Sequence, residues 1–213
     1  MEIKRIAAIG IVGIALAGCS SSTSSSSSTT GLLPSTTVAS PATSTTVDPN
    51  VESMLLAITD LPTGWSVDNT PQTASVSCYT NPLARVPSTA YAHVSFAQGG
   101  GTPILAEELG FYSSGPSAFT KITGTLNGCK TFTETNKGET VNGVMGPMSS
   151  PNYGDQSAAY DATLTIQGTS VNQGFVMVRK GNFITLVALG DIGSLDATKL
   201  QQFVNQAVTK VAG

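Results

Sequence analysis

The hydrophobic pattern is cleanest between Tyr160 and Ile166, where Tyr160, Ala162, Leu164 and Ile166 alternate with Asp161, Thr163 and Thr165. A period of two is that of a strand with one buried face. Gln167-Gly168-Thr169-Ser170 reads as a turn, Val171 to Arg179 as a second strand, Lys180-Gly181-Asn182 as another turn and Phe183 to Leu189 as a third strand, which together form an antiparallel meander. Phe183-Ile184-Thr185-Leu186-Val187 is apolar on both faces, which places it centrally with helices over at least one side. The last segment can supply that cover. Asp196 is a candidate cap, and Leu200, Phe203, Val204, Ala207, Val208 and Val211 form one stripe at helical spacing.

Upstream the pattern is weaker. Tyr91 to Phe96 alternates as a strand and Ile104 to Tyr112 follows as another, with Gly99-Gly100-Gly101 as a flexible hairpin turn. The triple glycine lacks the strand and helix context of a phosphate loop. Pro116-Ser117 opens a helix in which Phe119, Ile122 and Leu126 share a face, ending at Asn127-Gly128. Asp48-Pro49 supplies a cap and a first-turn proline for a short helix bearing Val51, Met54, Leu55 and Ile58, which Leu61-Pro62-Thr63-Gly64 then stops. The predicted fold is α+β: an antiparallel meander sheet packed by helices in one domain, residues 51–213.

The first 50 residues are different in kind. Lys4 and Arg5 precede a run of about 12 apolar residues, Ile6 to Ala17, and then Leu16-Ala17-Gly18-Cys19. A membrane span needs roughly 20 residues, so residues 1–18 read as a cleaved lipoprotein signal with Cys19 as the lipidated N-terminus. Stable anchoring takes more than one acyl chain, and a diacylated cysteine supplies that. Residues 20–50 are mostly Ser, Thr, Ala, Pro and Val, with no aromatic residue and Asp48 as the one charge. Such a stretch cannot bury enough apolar surface to offset its ordering entropy. It reads as a spacer with a root-mean-square span of roughly 30 Å.

Charge narrows the function. Ten Lys and Arg against 13 Asp and Glu give a net charge of −3, and beyond residue 48 the one basic pair is Arg179-Lys180. Nucleic-acid binding needs a basic stripe to displace counterions, so nucleic acid is not an expected partner. With Cys19 assigned to lipid, Cys78 and Cys129 remain. An exported location favours a disulfide between them, worth roughly 4 kcal/mol for a loop of this length in the chain-entropy model. The competing zinc site would have only these two cysteines and His93, short of a four-ligand set, so no metal and no cofactor is expected. His93 sits on a strand, with no Gly-x-Ser-x-Gly elbow anywhere to select a nucleophile beside it. Glu107 and Glu108 point to opposite faces of their strand and read as solvated charge. The chain is not expected to be an enzyme.

Several pieces resemble the extracellular sensor domain of actinobacterial PknH-type Ser/Thr kinases and of lipoproteins carrying the same domain. They are Leu61-Pro62-Thr63-Gly64-Trp65, the helix from Phe119 to Cys129, Gly154-Asp155-Gln156-Ser157 with Tyr160 following, Val176-Met177-Val178-Arg179 with Gly181-Asn182, and the terminal helix to Lys210. The resemblance implies a ligand-sensing module with a groove in the sheet face. It departs from the family in having one disulfide where two are common, and in lacking a kinase domain. The implied function is a membrane-anchored extracytoplasmic lipoprotein that binds an envelope-derived small molecule, lipid or glycan. Its partners are the cytoplasmic membrane, through Cys19, and that unidentified ligand, with a membrane or envelope protein as a further candidate. Candidate ligand contacts are Trp65, Tyr112 and Tyr160 as aromatic surfaces, and Arg179 for a carboxylate or phosphate. The alternatives are a protein-interaction or envelope-scaffolding module and, further off, a hydrolase.

Replacing Cys19 by Ser should move the protein from the membrane fraction to the soluble fraction of a cell lysate. A variant still recovered with the membrane would sink the lipoprotein assignment.

Overall fold

The computed structural model describes residues 50–69, 78–136 and 139–211. The signal, Cys19, the spacer and the Asp48-Pro49 cap lie outside the described residues. Eight strands form one sheet: β1 (Trp65–Val67), β2 (Ala90–Gln98), β3 (Ile104–Phe111), β4 (Thr131–Asn136), β5 (Glu139–Pro147), β6 (Gln156–Ile166), β7 (Thr169–Lys180) and β8 (Phe183–Ile192). Their spatial order is β1-β2-β3-β8-β7-β6-β5-β4, with every neighbour antiparallel. The meander β6-β7-β8 is as the alternation predicts. β3 lies against β8, with Glu108 opposite Leu186 and Phe111 opposite Phe183, and so fuses the N-terminal strands to the meander.

Two helices complete the α+β fold, one on each face. Helix α1 (Gly115–Gly128) buries Ala118, Phe119, Ile122 and Leu126 in a core with Tyr160, Phe175, Met177, Ile184 and Leu186. Helix α2 (Ala197–Val211) buries Leu200, Phe203, Val204 and Ala207 against Leu105, Val176, Val187 and Leu189 on the other side. β8 is apolar on both faces because each face is covered. The expected cap is present: Asp196 Oδ1 accepts the Lys199 N–H at 2.9 Å. Gly115 starts α1 where no side chain fits, since a Cβ there would come within 2.2 Å of the Gly181 carbonyl.

Three strands go beyond the sequence reading: β1, β4 and β5. β4 and β5 are Thr- and Asn-rich and carry Gly143 at an inward position, which erases the apolar alternation. The packing is supplied from across the pair. Phe132 lies opposite Gly143, and a Cβ on Gly143 would come within 2.1 Å of its ring. One aromatic side chain thus fills the space of two.

Two expectations are corrected. The segment after Asn50 is not one helix but two 3₁₀ turns, Val51–Met54 and Ile58–Asp60, separated by extended backbone at Leu55. The N–H groups a continuing helix would use are taken by side chains: Leu56 donates to Glu107 Oε2 at 2.6 Å and Ala57 to Asp60 Oδ2 at 2.7 Å. Lys210 on α2 holds the same Asp60 oxygen at 2.6 Å. The second correction concerns Glu107 and Glu108, which are both 0% exposed rather than solvated. They do point to opposite faces. Glu107, on the α2 side, also accepts from Thr185 Oγ1 at 3.2 Å, and Glu108, on the α1 side, accepts from the Tyr91 hydroxyl at 3.2 Å. The segment at Leu56 packs over one face of their strand and the turn at Leu83 over the other, so neither side chain meets water.

Desolvation pushes the Glu107 carboxyl up to about 7 and that of Glu108 up to about 8, from an ordinary 4.5. The folded state then binds these protons more tightly than the unfolded chain does. The stabilisation is therefore complete below about pH 4.5 and is lost as pH rises through 7 to 8. Unfolding free energy from urea titrations should fall by on the order of a few kcal/mol between pH 5 and pH 8.5. Glu108→Gln keeps an acceptor for Tyr91 and should flatten much of that slope. An unchanged slope in the variant would show that Glu108 does not carry the titration.

Candidate ligand groove beside helix α1

The end of α1 and the start of β4 create an opening in the α1 layer. The chain leaves the helix in a tight turn, with Cys129 N–H donating to the Leu126 carbonyl at 2.9 Å and Lys130 N–H to that of Gly128 at 3.2 Å. β4 then begins at Thr131 opposite Val144, so β5 runs on to Pro147 with no strand beyond it. A cavity of about 600 Å³ opens here, walled by Leu126, Asn127, Lys130, Met145, Pro147 and Tyr160 among others. A second, of about 420 Å³, continues along α1 past Phe119, Thr123, Ser150, Asn152 and Ser157. The two share Asn127, Pro147 and Tyr160 and so make one groove. The larger cavity is of the size of small-molecule sites, roughly 300–1,000 Å³.

Tyr160 is the fixed point of this groove. Its hydroxyl donates to Asn127 Oδ1 at 2.9 Å, tying β6 to the last turn of α1. Its ring stacks on Phe175 with centroids 5.2 Å apart, Phe175 meets Tyr79 edge-on at 5.9 Å, and Tyr79 stacks on Phe132 at 4.7 Å. Tyr79 donates its own hydroxyl to the Gln173 side chain. An aromatic row thus runs from the groove to β4. The Cys78–Cys129 disulfide, with Cα atoms 5.5 Å apart, anchors both Tyr79 and the end of α1. Burial raises the Tyr160 hydroxyl above its ordinary pKa, so it is a neutral hydrogen-bonding group. Among the described residues lining the two cavities, Lys130 alone carries a charge.

Of the four predicted ligand contacts, Tyr160 lines the groove. Trp65 lies on the opposite face, edge-on to Phe203 with centroids 5.5 Å apart. Tyr112 is buried, its hydroxyl donating to the Leu83 carbonyl at 3.0 Å. Arg179 is engaged at the end of β7, donating to Asp155 Oδ2 and the Gly181 carbonyl, both at 2.9 Å, and to Gln156 Oε1 at 2.7 Å. With the Gly181 N–H as the larger influence, Arg179 holds the Asp155 carboxyl below its usual range. His93 is exposed on β2, across from Glu108 in register, and lines neither cavity. The residues that sequence reasoning missed are Asn127, Met145, Pro147 and Ser157. Asn127 was visible only as half of a helix-stop signal, and its second role depends on where β6 passes.

No family model matches the sequence, and no curated protein matches it. Among solved structures, the fold is similar to the crystal structure of the extracellular domain of PknH from Mycobacterium tuberculosis. The TM-score is 0.60 at 13% identity, over 76% of this chain and 94% of that one. At that identity the likeness is one of fold. The chain has the fold of the PknH extracellular domain, as the motifs at Trp65, Cys129, Tyr160 and Arg179 lead one to expect.

Proposed function

We propose that this chain is an extracytoplasmic lipoprotein whose domain, residues 51–213, binds an envelope-derived small molecule, lipid or glycan in the groove beside α1. The observation that carries this reading is the groove itself. Two adjoining cavities meet at a Tyr160–Asn127 pair held by a stacked aromatic row and a disulfide. A rigid, concave surface with a few convergent polar groups is what ligand sites share. The lipid on Cys19 and the spacer place the domain at the outer face of the membrane. The paired cysteines fit an oxidising compartment, and the fold is that of the PknH extracellular domain. The roles assigned to the groove residues are apolar contact and hydrogen bonding, without turnover. Val144, 63% exposed at the groove's rim, favours a second reading in which a protein partner covers this edge.

Native mass spectrometry of residues 19–213 carrying Cys19→Ser, purified with oxidised cysteines from an actinobacterial host, tests the proposal. A reproducible extra mass is expected. Asn127→Ala, which removes a hydrogen bond worth about 1 kcal/mol, should reduce its retention several-fold. A bare wild-type mass would shift the balance to the protein-partner reading, and an adduct indifferent to Asn127→Ala would place the ligand elsewhere.

A further inference from the structure

The groove's two halves differ in chemistry. Towards the sheet edge, Leu126, Val144, Met145 and Pro147 present carbon. Beyond Tyr160, Thr123, Ser150, Asn152 and Ser157 present hydroxyl and amide groups. Among the described residues neither half contains a carboxylate, so a cationic group finds no counter-charge in either. The lone charge, Lys130, lies at the apolar end, so an anionic head in the polar half would meet no cation. The backbone also argues against an added peptide strand. Strand addition needs free N–H groups along the edge, but the Met145 N–H is taken by the Lys130 carbonyl at 2.9 Å and Pro147 has none.

We infer that the groove takes an amphiphile with an uncharged, hydroxylated head. Its hydrocarbon part lies along Leu126, Met145 and Pro147, and its head lies among Thr123, Asn152 and Ser157. Tyr160 and Asn127 mark the junction. This assignment rests on the groove being the ligand site, and it selects one class from those a groove of this size admits. Burying hydrocarbon against the apolar half supplies affinity. The neutral polar half supplies selectivity, because a charged head loses hydration there and gains no ion pair.

The test uses the full mature chain, residues 19–213 with Cys19→Ser, and follows ¹⁵N amide shifts by NMR with ligands kept below micelle formation. The probes are monolauroylglycerol, laurate, dodecyltrimethylammonium and an N-acetylglucosamine–N-acetylmuramic acid disaccharide. Monolauroylglycerol should shift the amides of Met145 and Ser157 together and saturably, with both charged amphiphiles binding at least tenfold more weakly. Val144→Asp, at an exposed position, should weaken it several-fold while amides away from the groove stay in place. Equal or tighter binding of laurate would overturn the neutral head. Groove shifts from the disaccharide alone would overturn the amphiphile and leave the groove as the site. Silence of every groove amide with all four probes would overturn both.

Discussion

Three neighbouring strands, β3, β8 and β7, have their middle residues closed to water on both faces. Most of the fold follows from that requirement. An antiparallel sheet can leave one face wet, but here the apolar run of β8 needs cover on each side, and the chain supplies one helix for each. The same closure makes each interior carboxylate find at least one donor. Glu107 is met by Leu56 and Thr185, and Glu108 by Tyr91. Two helices are enough for the middle of an eight-stranded sheet and not for its margin. The groove lies where α1 runs out and β5 continues.

That opening is held in shape by covalent and aromatic constraints. Tyr160, Phe175, Tyr79 and Phe132 make a contact row drawn from β6, β7, the segment after Cys78 and β4, and the disulfide fixes the segment that delivers Tyr79 to the end of α1. A side chain stacked on one side and hydrogen-bonded at its tip has little rotamer freedom left to lose when something docks against it. Tyr160 is as buried as Trp65 and Tyr112, and differs from them in that its edge lines both cavities.

What the sequence reveals depends on whether a signal is local. β6, β7, β8 and α2 announce themselves because each has an unbroken period and turn residues at its ends. β4 and β5 do not, because Phe132 fills the space above Gly143 from the neighbouring strand, and neither strand alone shows the pairing. Glu107 and Glu108 mislead for a related reason, since their burial follows from the segments at Leu56 and Leu83 that cover β3 on its two faces, a long-range fact. The first segment reads as a helix by spacing, yet Glu107, more than 50 positions away, captures its backbone at Leu56. At the groove, Tyr160 could be named from an aromatic on a half-buried strand near a family-like motif. Its partner Asn127 is composed by the fold, as is the division of the lining into carbon and hydroxyl.

The chain enters the described fold at Asn50 and is strapped through Leu56 over β3, against α2. The groove opens on the other face, beside β5 and β6. Four strand spacings separate the two places, about 20 Å at 4.8 Å each. The chain's entry into the fold and the groove therefore lie on opposite faces of the sheet, several strands apart. In a chain tethered at its N-terminus, as proposed above, this separation would keep the groove clear of the point of suspension.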